Sequence, residues 1–106
     1  MIAMNKELFS EYVQQGSKPV LVEFSAPWCV YCRRIASAYE KIAEQYADKL
    51  VVAKVNIDDE PKLANRENIE VIPTLVLYKD GQAIGSVVAP ESKAAIEEFI
   101  RRSLAE

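Results

Sequence analysis

Apolar residues recur along this chain at two spacings, and their succession predicts its elements. Between residues 5 and 15, Leu8 matches Tyr12 and Phe9 matches Val13 at i, i+4, and Gly16 follows, the pattern of a short helix and its stop. Pro19-Val20-Leu21-Val22-Glu23-Phe24 is nearly continuous apolar sequence, which reads as a strand buried on both faces with proline at its edge. Glu23 is the anomaly in it. From Cys29 to about Ala47, the residues Ile35, Tyr39, Ile42, Ala43 and Tyr46 form one apolar stripe along what should be the longest helix. Leu50 to Ile57, β-branched and aliphatic, predicts a second central strand. Asp58-Asp59-Glu60-Pro61 then offers capping residues and an early proline for a short helix to about Asn65. Thr74 to Tyr78 and Gln82 to Val88 flank Lys79-Asp80-Gly81, an antiparallel hairpin signal. Ile96, Phe99, Ile100 and Leu104 close the chain with an amphipathic helix, Arg101 and Arg102 being placed to complement its C-terminus.

Strand, helix, strand, helix, hairpin and helix predict an α/β fold in which a mixed central sheet carries helices on both faces. The right-handed crossover makes the strands at 20–25 and 50–57 parallel neighbours. Cys29 then falls just beyond the C-terminal end of a central strand, where the long helix begins. No linker or repeat interrupts the 106 residues, so the expectation is one domain over 1–106.

Composition narrows the function classes. No apolar run approaches the roughly 18 to 20 residues of a membrane span, and a monomer satisfies everything the composition demands. A net charge of −3, with no Lys/Arg cluster larger than a pair, gives no footprint for a phosphate backbone and excludes nucleic acid as the main partner. The N-terminal residues lack the basic segment and apolar run of a signal peptide, so the expected location is the cytoplasm. The chain has no histidine, which removes Ser-His-Asp triads, Cys-His nucleophiles and imidazole metal ligands together.

What remains is Cys29-Val30-Tyr31-Cys32. A disulfide here closes too short a loop to staple the fold, so exchange is the better reading of its purpose. At a helix N-terminus, free N–H groups and the helix dipole lower a thiol's pKa, which fits Cys29 as the nucleophile. Cys32, about one turn on, is placed to resolve a mixed disulfide. The competing readings are two inert buried thiols or half of a zinc site, for which two of the usual four ligands are missing. Glu23 shares a strand face with Leu21 and Ser25, opposite Val20, Val22 and Phe24, and so points beneath the cysteine helix. Desolvation there raises its pKa and suits it to exchange a proton with Cys32, with Lys54 tuning it; the alternative is a structural ion pair with Lys54.

Phe24-Ser25-Ala26-Pro27-Trp28-Cys29-Val30-Tyr31-Cys32, Lys54-Val55-Asn56-Ile57-Asp58, Val71-Ile72-Pro73-Thr74-Leu75 and Asp80-Gly81 together resemble the landmarks of thioredoxins, in order and spacing across nearly the whole chain. The resemblance implies a thioredoxin fold and a thiol-disulfide oxidoreductase that needs no bound cofactor. It also implies disulfide-containing protein substrates and a thioredoxin-reductase-type electron donor. It makes Pro73 a cis proline lying against the disulfide, and gives Ile72 the backbone groups that pair with an extended substrate segment. Thr74, Val30 and Tyr31 join that binding surface, with Trp28 at its rim; the residue alone also fits a core aromatic. The family carries an acid and a lysine where Glu23 and Lys54 stand.

The chain departs from thioredoxins proper in several places. Val30-Tyr31 replaces Gly-Pro between the cysteines, so the reduction potential is not inherited from the resemblance. Ala26-Pro27-Trp28 and Glu23 are closer to protein disulfide isomerase domains, and Tyr31 is similar to glutaredoxins, although the glutathione-holding glycine pair is missing. Ser37 stands for a helix-kinking proline, implying a straighter helix. Ala89 stands for a groove-lining glycine, implying a narrower groove. Arg33 and Arg34 fit a solvated pair better than a thiolate-stabilising one. Reduction of protein disulfides is the leading function. Oxidase or isomerase activity, or a non-enzymatic adaptor using the same groove, are the rivals.

Overall fold

The computed structural model describes residues 1–105. Five strands form one sheet in the order β1-β3-β2-β4-β5, with β1 Ile2–Ala3, β2 Val20–Ser25, β3 Val51–Asn56, β4 Thr74–Lys79 and β5 Gln82–Val88. β2 and β3 are parallel, Glu23 facing Lys54 in register, and β4 runs antiparallel to both β2 and β5. This is the mixed thioredoxin-type sheet expected from the sequence, with one addition. β1 is a two-residue edge strand pairing Ile2 with Ala53 and Ala3 with Lys54. Two residues are too few to show alternation, and the pairing with β3 alone defines them.

The first helical segment changes pitch midway. α1 spans Lys6–Phe9, its first turn capped by Asn5, whose side chain accepts the Leu8 N–H at 2.8 Å. A π-helical turn over Ser10–Gln14 continues it, closed by Gln15 N–H to Ser10 O at 3.0 Å. Gly16 follows its end at a position that only glycine fits, because a Cβ there would collide with the Tyr12 carbonyl oxygen. The remaining helices are α2 Val30–Gln45, α3 Pro61–Arg66 with its early proline, and α4 Lys93–Leu104, capped by Ser92. α2 runs without a break through Ser37.

β2 divides the interior. Val20, Val22 and Phe24 join Phe9, Val13, Val55 and Leu63 in one core, under α1 and α3. Leu21 joins Ile35, Tyr39, Ile42, Leu77, Ile96 and Phe99 in the other, under α2 and α4. Glu23 lies on this second face, as the period-two pattern requires. Lys79 and Gln82 close the β4–β5 hairpin through Asp80 and Gly81, both at positive φ, 54° and 82°. That pair of left-handed residues is the turn geometry an Asp-Gly sequence favours.

Candidate active site

The loop after β2 turns at once into α2, and Cys29 is the residue at the junction. Its extended backbone makes it the N-cap, and its Sγ accepts the Cys32 N–H at 3.1 Å. Cys29 and Cys32 are disulfide-bonded with their Cα atoms 5.2 Å apart. A sulfur in that position faces the free N–H groups of the first turn, the environment that favours thiolate once the bond is reduced.

The two sulfurs have different neighbourhoods. Cys29 is flanked by Trp28 and Val30, which are 63 % and 57 % exposed. The alternative of a core tryptophan is therefore excluded, and the Trp28 indole N–H donates to Asp58 Oδ2 at 2.9 Å, which fixes the ring over the loop. Cys32 instead lines a cleft of about 390 Å³ behind the disulfide. Glu23, Ser25, Lys54 and Asn56 form its sheet side, and Arg33, Ala36, Tyr39 and Glu40 its helix side.

Glu23 is 4 % exposed, and burial pushes its carboxyl up to about 7, against a smaller downward pull from the Lys54 ammonium. Among the described residues it has no cation within 4.0 Å, so the paired arrangement with Lys54 is not what the structure holds. Lys54 is exposed and acts at longer range. Arg33, also exposed, donates to Pro27 O at 2.7 Å and ties the loop to the first turn of α2; Arg34 is exposed.

On the other side of β2, the Ile72–Pro73 peptide is cis and leads into β4, where Thr74 pairs with Phe24. This places the proline beside the end of β2 from which the cysteine loop departs. Thr74 is buried and donates its hydroxyl to Val71 O, closing the turn. Pro73 O accepts the Ala89 N–H at 2.8 Å, which joins the proline turn to the end of β5. Ala89 adopts φ 47°, a left-handed conformation that glycine would occupy without strain. Among the described residues, Ile72 has no backbone partner for its N–H or C=O. Val71 and Val88 are 55 % and 53 % exposed beside it.

The Thioredoxin family model matches residues 1–102. The chain belongs to the thioredoxin family. It is 40 % identical to Thioredoxin 1 of Synechococcus elongatus over 96 % of this chain and 95 % of that protein. Identity to Thioredoxin of Acidithiobacillus ferridurans is 41 %, covering 98 % of this chain and 96 % of the relative. Thioredoxin M-type, chloroplastic, of Chlamydomonas reinhardtii is 38 % identical over 96 % of this chain and 73 % of its own length. The chain is accordingly a thioredoxin-type thiol-disulfide oxidoreductase that reduces disulfides, and Cys29 and Cys32 stand at its CxxC.

Reasoning from sequence named the cysteines, Glu23, Lys54, Trp28 and the proline turn, and the fold brings these to one end of the sheet. It missed Asp58 as the indole partner, although that residue ends one of the family-like motifs. It also placed Tyr39 only as core, because the stripe carries two hydroxyls, Tyr39 and Tyr46, and nothing in the spacing says that the first reaches the sheet carbonyls.

Proposed function

We propose that Cys29 attacks the substrate disulfide, that Cys32 resolves the mixed disulfide, and that Glu23 carries the proton between Cys32 and the cleft. One observation carries the assignment. Cys29 Sγ caps the helix beside exposed apolar residues, whereas Cys32 shares a cleft with a buried carboxyl. In the forward cycle, Glu23 carboxylate takes the Cys32 thiol proton. The Cys32 thiolate attacks Cys29, the Cys29–substrate bond breaks, and the substrate leaves as a thiolate that is then protonated. Two electrons and two protons pass from the dithiol to the substrate disulfide.

Substrates in this reading are disulfide-bearing protein segments. An extended stretch pairs with the unpartnered backbone of Ile72 and lies across Trp28, Val30, Tyr31, Val71 and Ala89, with Pro73 and Thr74 holding the turn in place. Residues 1–106 act as one domain and as a monomer in the cytoplasm, recycled by a thioredoxin-reductase-type donor. Among the described residues no helix is long and apolar enough to cross a membrane.

Trapping tests the order of attack. Cys32→Ser should accumulate a mixed disulfide with a peptide disulfide substrate, while Cys29→Ser should accumulate none and lose more than about 10³-fold in rate. Equal trapping by both variants would refute the assignment. Val30-Tyr31 keeps the oxidising direction as the second reading. An equilibrium potential near −270 mV supports the reductase, and one near −180 mV the oxidase or isomerase.

A further inference from the structure

Three loops meet at the proposed substrate surface, and each brings a carboxylate to it. Asp58 accepts the Trp28 indole N–H at 2.9 Å and so stands at one rim. Glu70 directly precedes Val71, which is exposed, and Ile72, whose backbone is free among the described residues. Glu91 lies two residues past Ala89, and the bond from the Ala89 N–H to Pro73 O holds that segment beside the proline turn. All three acids are exposed.

No opposite charge balances them locally. Residues 56–60, 67–73 and 88–92 contain no lysine or arginine. Among the described residues, none of the three carboxylates has a cation within 4.0 Å. The cations nearest in sequence are engaged elsewhere. Lys93 donates to Gln45 and Glu97, Arg66 donates to Glu67, and Lys62 lines a separate cleft with Lys6, Asp59 and Glu60. Arg33 is tied to Pro27 O and lines the cleft behind the disulfide; Arg34 belongs to α2 and to none of the three loops. The indole N–H on Asp58 is a neutral donor and leaves that carboxylate its charge.

The apolar side chains and the Ile72 backbone take an extended segment of any sequence, because they read only main chain and bulk. The acids discriminate. A cationic side chain is drawn to them, and an acidic one is repelled, which changes encounter rate and binding together. We propose that this surface selects disulfide-bearing segments with lysine or arginine within about three residues of the reacting cysteine, a span of about 10 Å in an extended chain. The inference names the substrate class of the site proposed above and rests on that reading. Because the charges are exposed, the preference fades as salt shortens the Debye length.

The test uses two synthetic peptides that share one disulfide loop and carry either Lys or Glu on both flanks. Trp28 fluorescence follows the second-order rate at which the reduced protein opens each loop to two thiols and forms its own Cys29–Cys32 disulfide, at about 50 mM and about 500 mM salt. Dividing by the dithiothreitol rate on the same peptide removes the effect of the flanks on the leaving thiol. The normalised rate should favour the Lys peptide by about fivefold or more at low salt, and by less than about twofold at high salt. Glu70→Lys with Glu91→Lys should remove or reverse the preference. Glu44→Lys with Asp48→Lys makes the same change of net charge at the far end of α2, about 20 Å from Val30, and should retain it. All four substituted residues are exposed, so neither double variant removes packing. Equal normalised rates at low salt, or faster reduction of the Glu peptide, overturn the inference. So does a preference that survives Glu70→Lys with Glu91→Lys, or one that both double variants erase alike, since net charge would then be its cause. Cys29→Ser separates this claim from the reading beneath it. If the wild type reduces neither peptide faster than Cys29→Ser does, the substrate reading fails and the inference with it. Reduction that depends on Cys29 but runs at equal rates on both peptides overturns the inference alone.

Discussion

The two ends of the sheet obey local rules to different degrees. At the hairpin end, Val20 pairs with Tyr78 and Lys79 with Gln82. The buried Tyr78 hydroxyl there has its partner, donating to Glu67 Oε1 at 2.8 Å. The positive φ angles fall on Asp80 and Gly81, residue types suited to them. At the opposite end, where Phe24 pairs with Thr74 and Ser25 with Asn56, a carboxyl with no ion pair among the described residues lies against the cleft, an alanine is left-handed and four large apolar side chains lie in solvent. Departures from the rules of stability therefore gather around the cysteines. One end holds the fold, and the other uses part of that stability to set up chemistry.

The largest test of this division removes packing at the hairpin end. Leu77 is fully buried in register with Leu21 and Gly85. Leu77→Ala should lower unfolding free energy by about 2–5 kcal/mol in urea titrations, with activity per folded molecule changed by less than about twofold. A loss of kcat/KM in fully folded protein would show that the two ends are coupled.

Next is Glu23, where the effect depends on pH. Its folded pKa, about 7, lies above the ordinary carboxyl value of 4.5, so the folded state binds the proton more tightly than the unfolded chain. The stability associated with the protonated form is full below the unfolded value and is lost as pH rises through the folded one. As pH rises from one value to the other, the oxidised protein should lose on the order of 2–3 kcal/mol, because a tenfold difference in proton affinity is worth about 1.4 kcal/mol. Glu23→Gln should remove this slope and be the more stable protein at pH 8, while resolving mixed disulfides more slowly. A wild-type slope in the variant would mean that another group causes it.

The same contrast explains what was legible in the sequence. β2, β3, α2 and the hairpin could be read because apolar periodicity and Asp-Gly act locally, and Glu23 stood out because it interrupted an apolar run. Tyr39 and Asp58 did not stand out. The partners of Tyr39 are backbone carbonyls on two strands, and that of Asp58 is an indole thirty positions away. β1 was invisible because only its pairing with β3 makes it a strand. The cis bond at Pro73 came from the resemblance, since a proline alone marks only a strand start. The pitch change over Ser10–Gln14 left no mark in the i, i+4 spacing that predicted the helix.

The smallest effects come from exchanging residue types between the two left-handed sites. A Cβ at Gly81 meets nothing closer than 3.9 Å, so Gly81→Ala isolates backbone strain and should cost about 1–2 kcal/mol. Ala89→Gly relieves the same strain but adds freedom to the unfolded chain, leaving a net gain of about 0.5–1 kcal/mol. Thermal melts of the two variants should therefore shift in opposite directions. Their activities should differ too: Gly81→Ala leaves KM for a protein disulfide unchanged, while Ala89→Gly changes it, because Ala89 is bonded to Pro73 O within the proposed substrate surface. If Ala89→Gly gains stability with KM unaltered, the strain at that position has no role in substrate selection, and the site end is strained there without functional return.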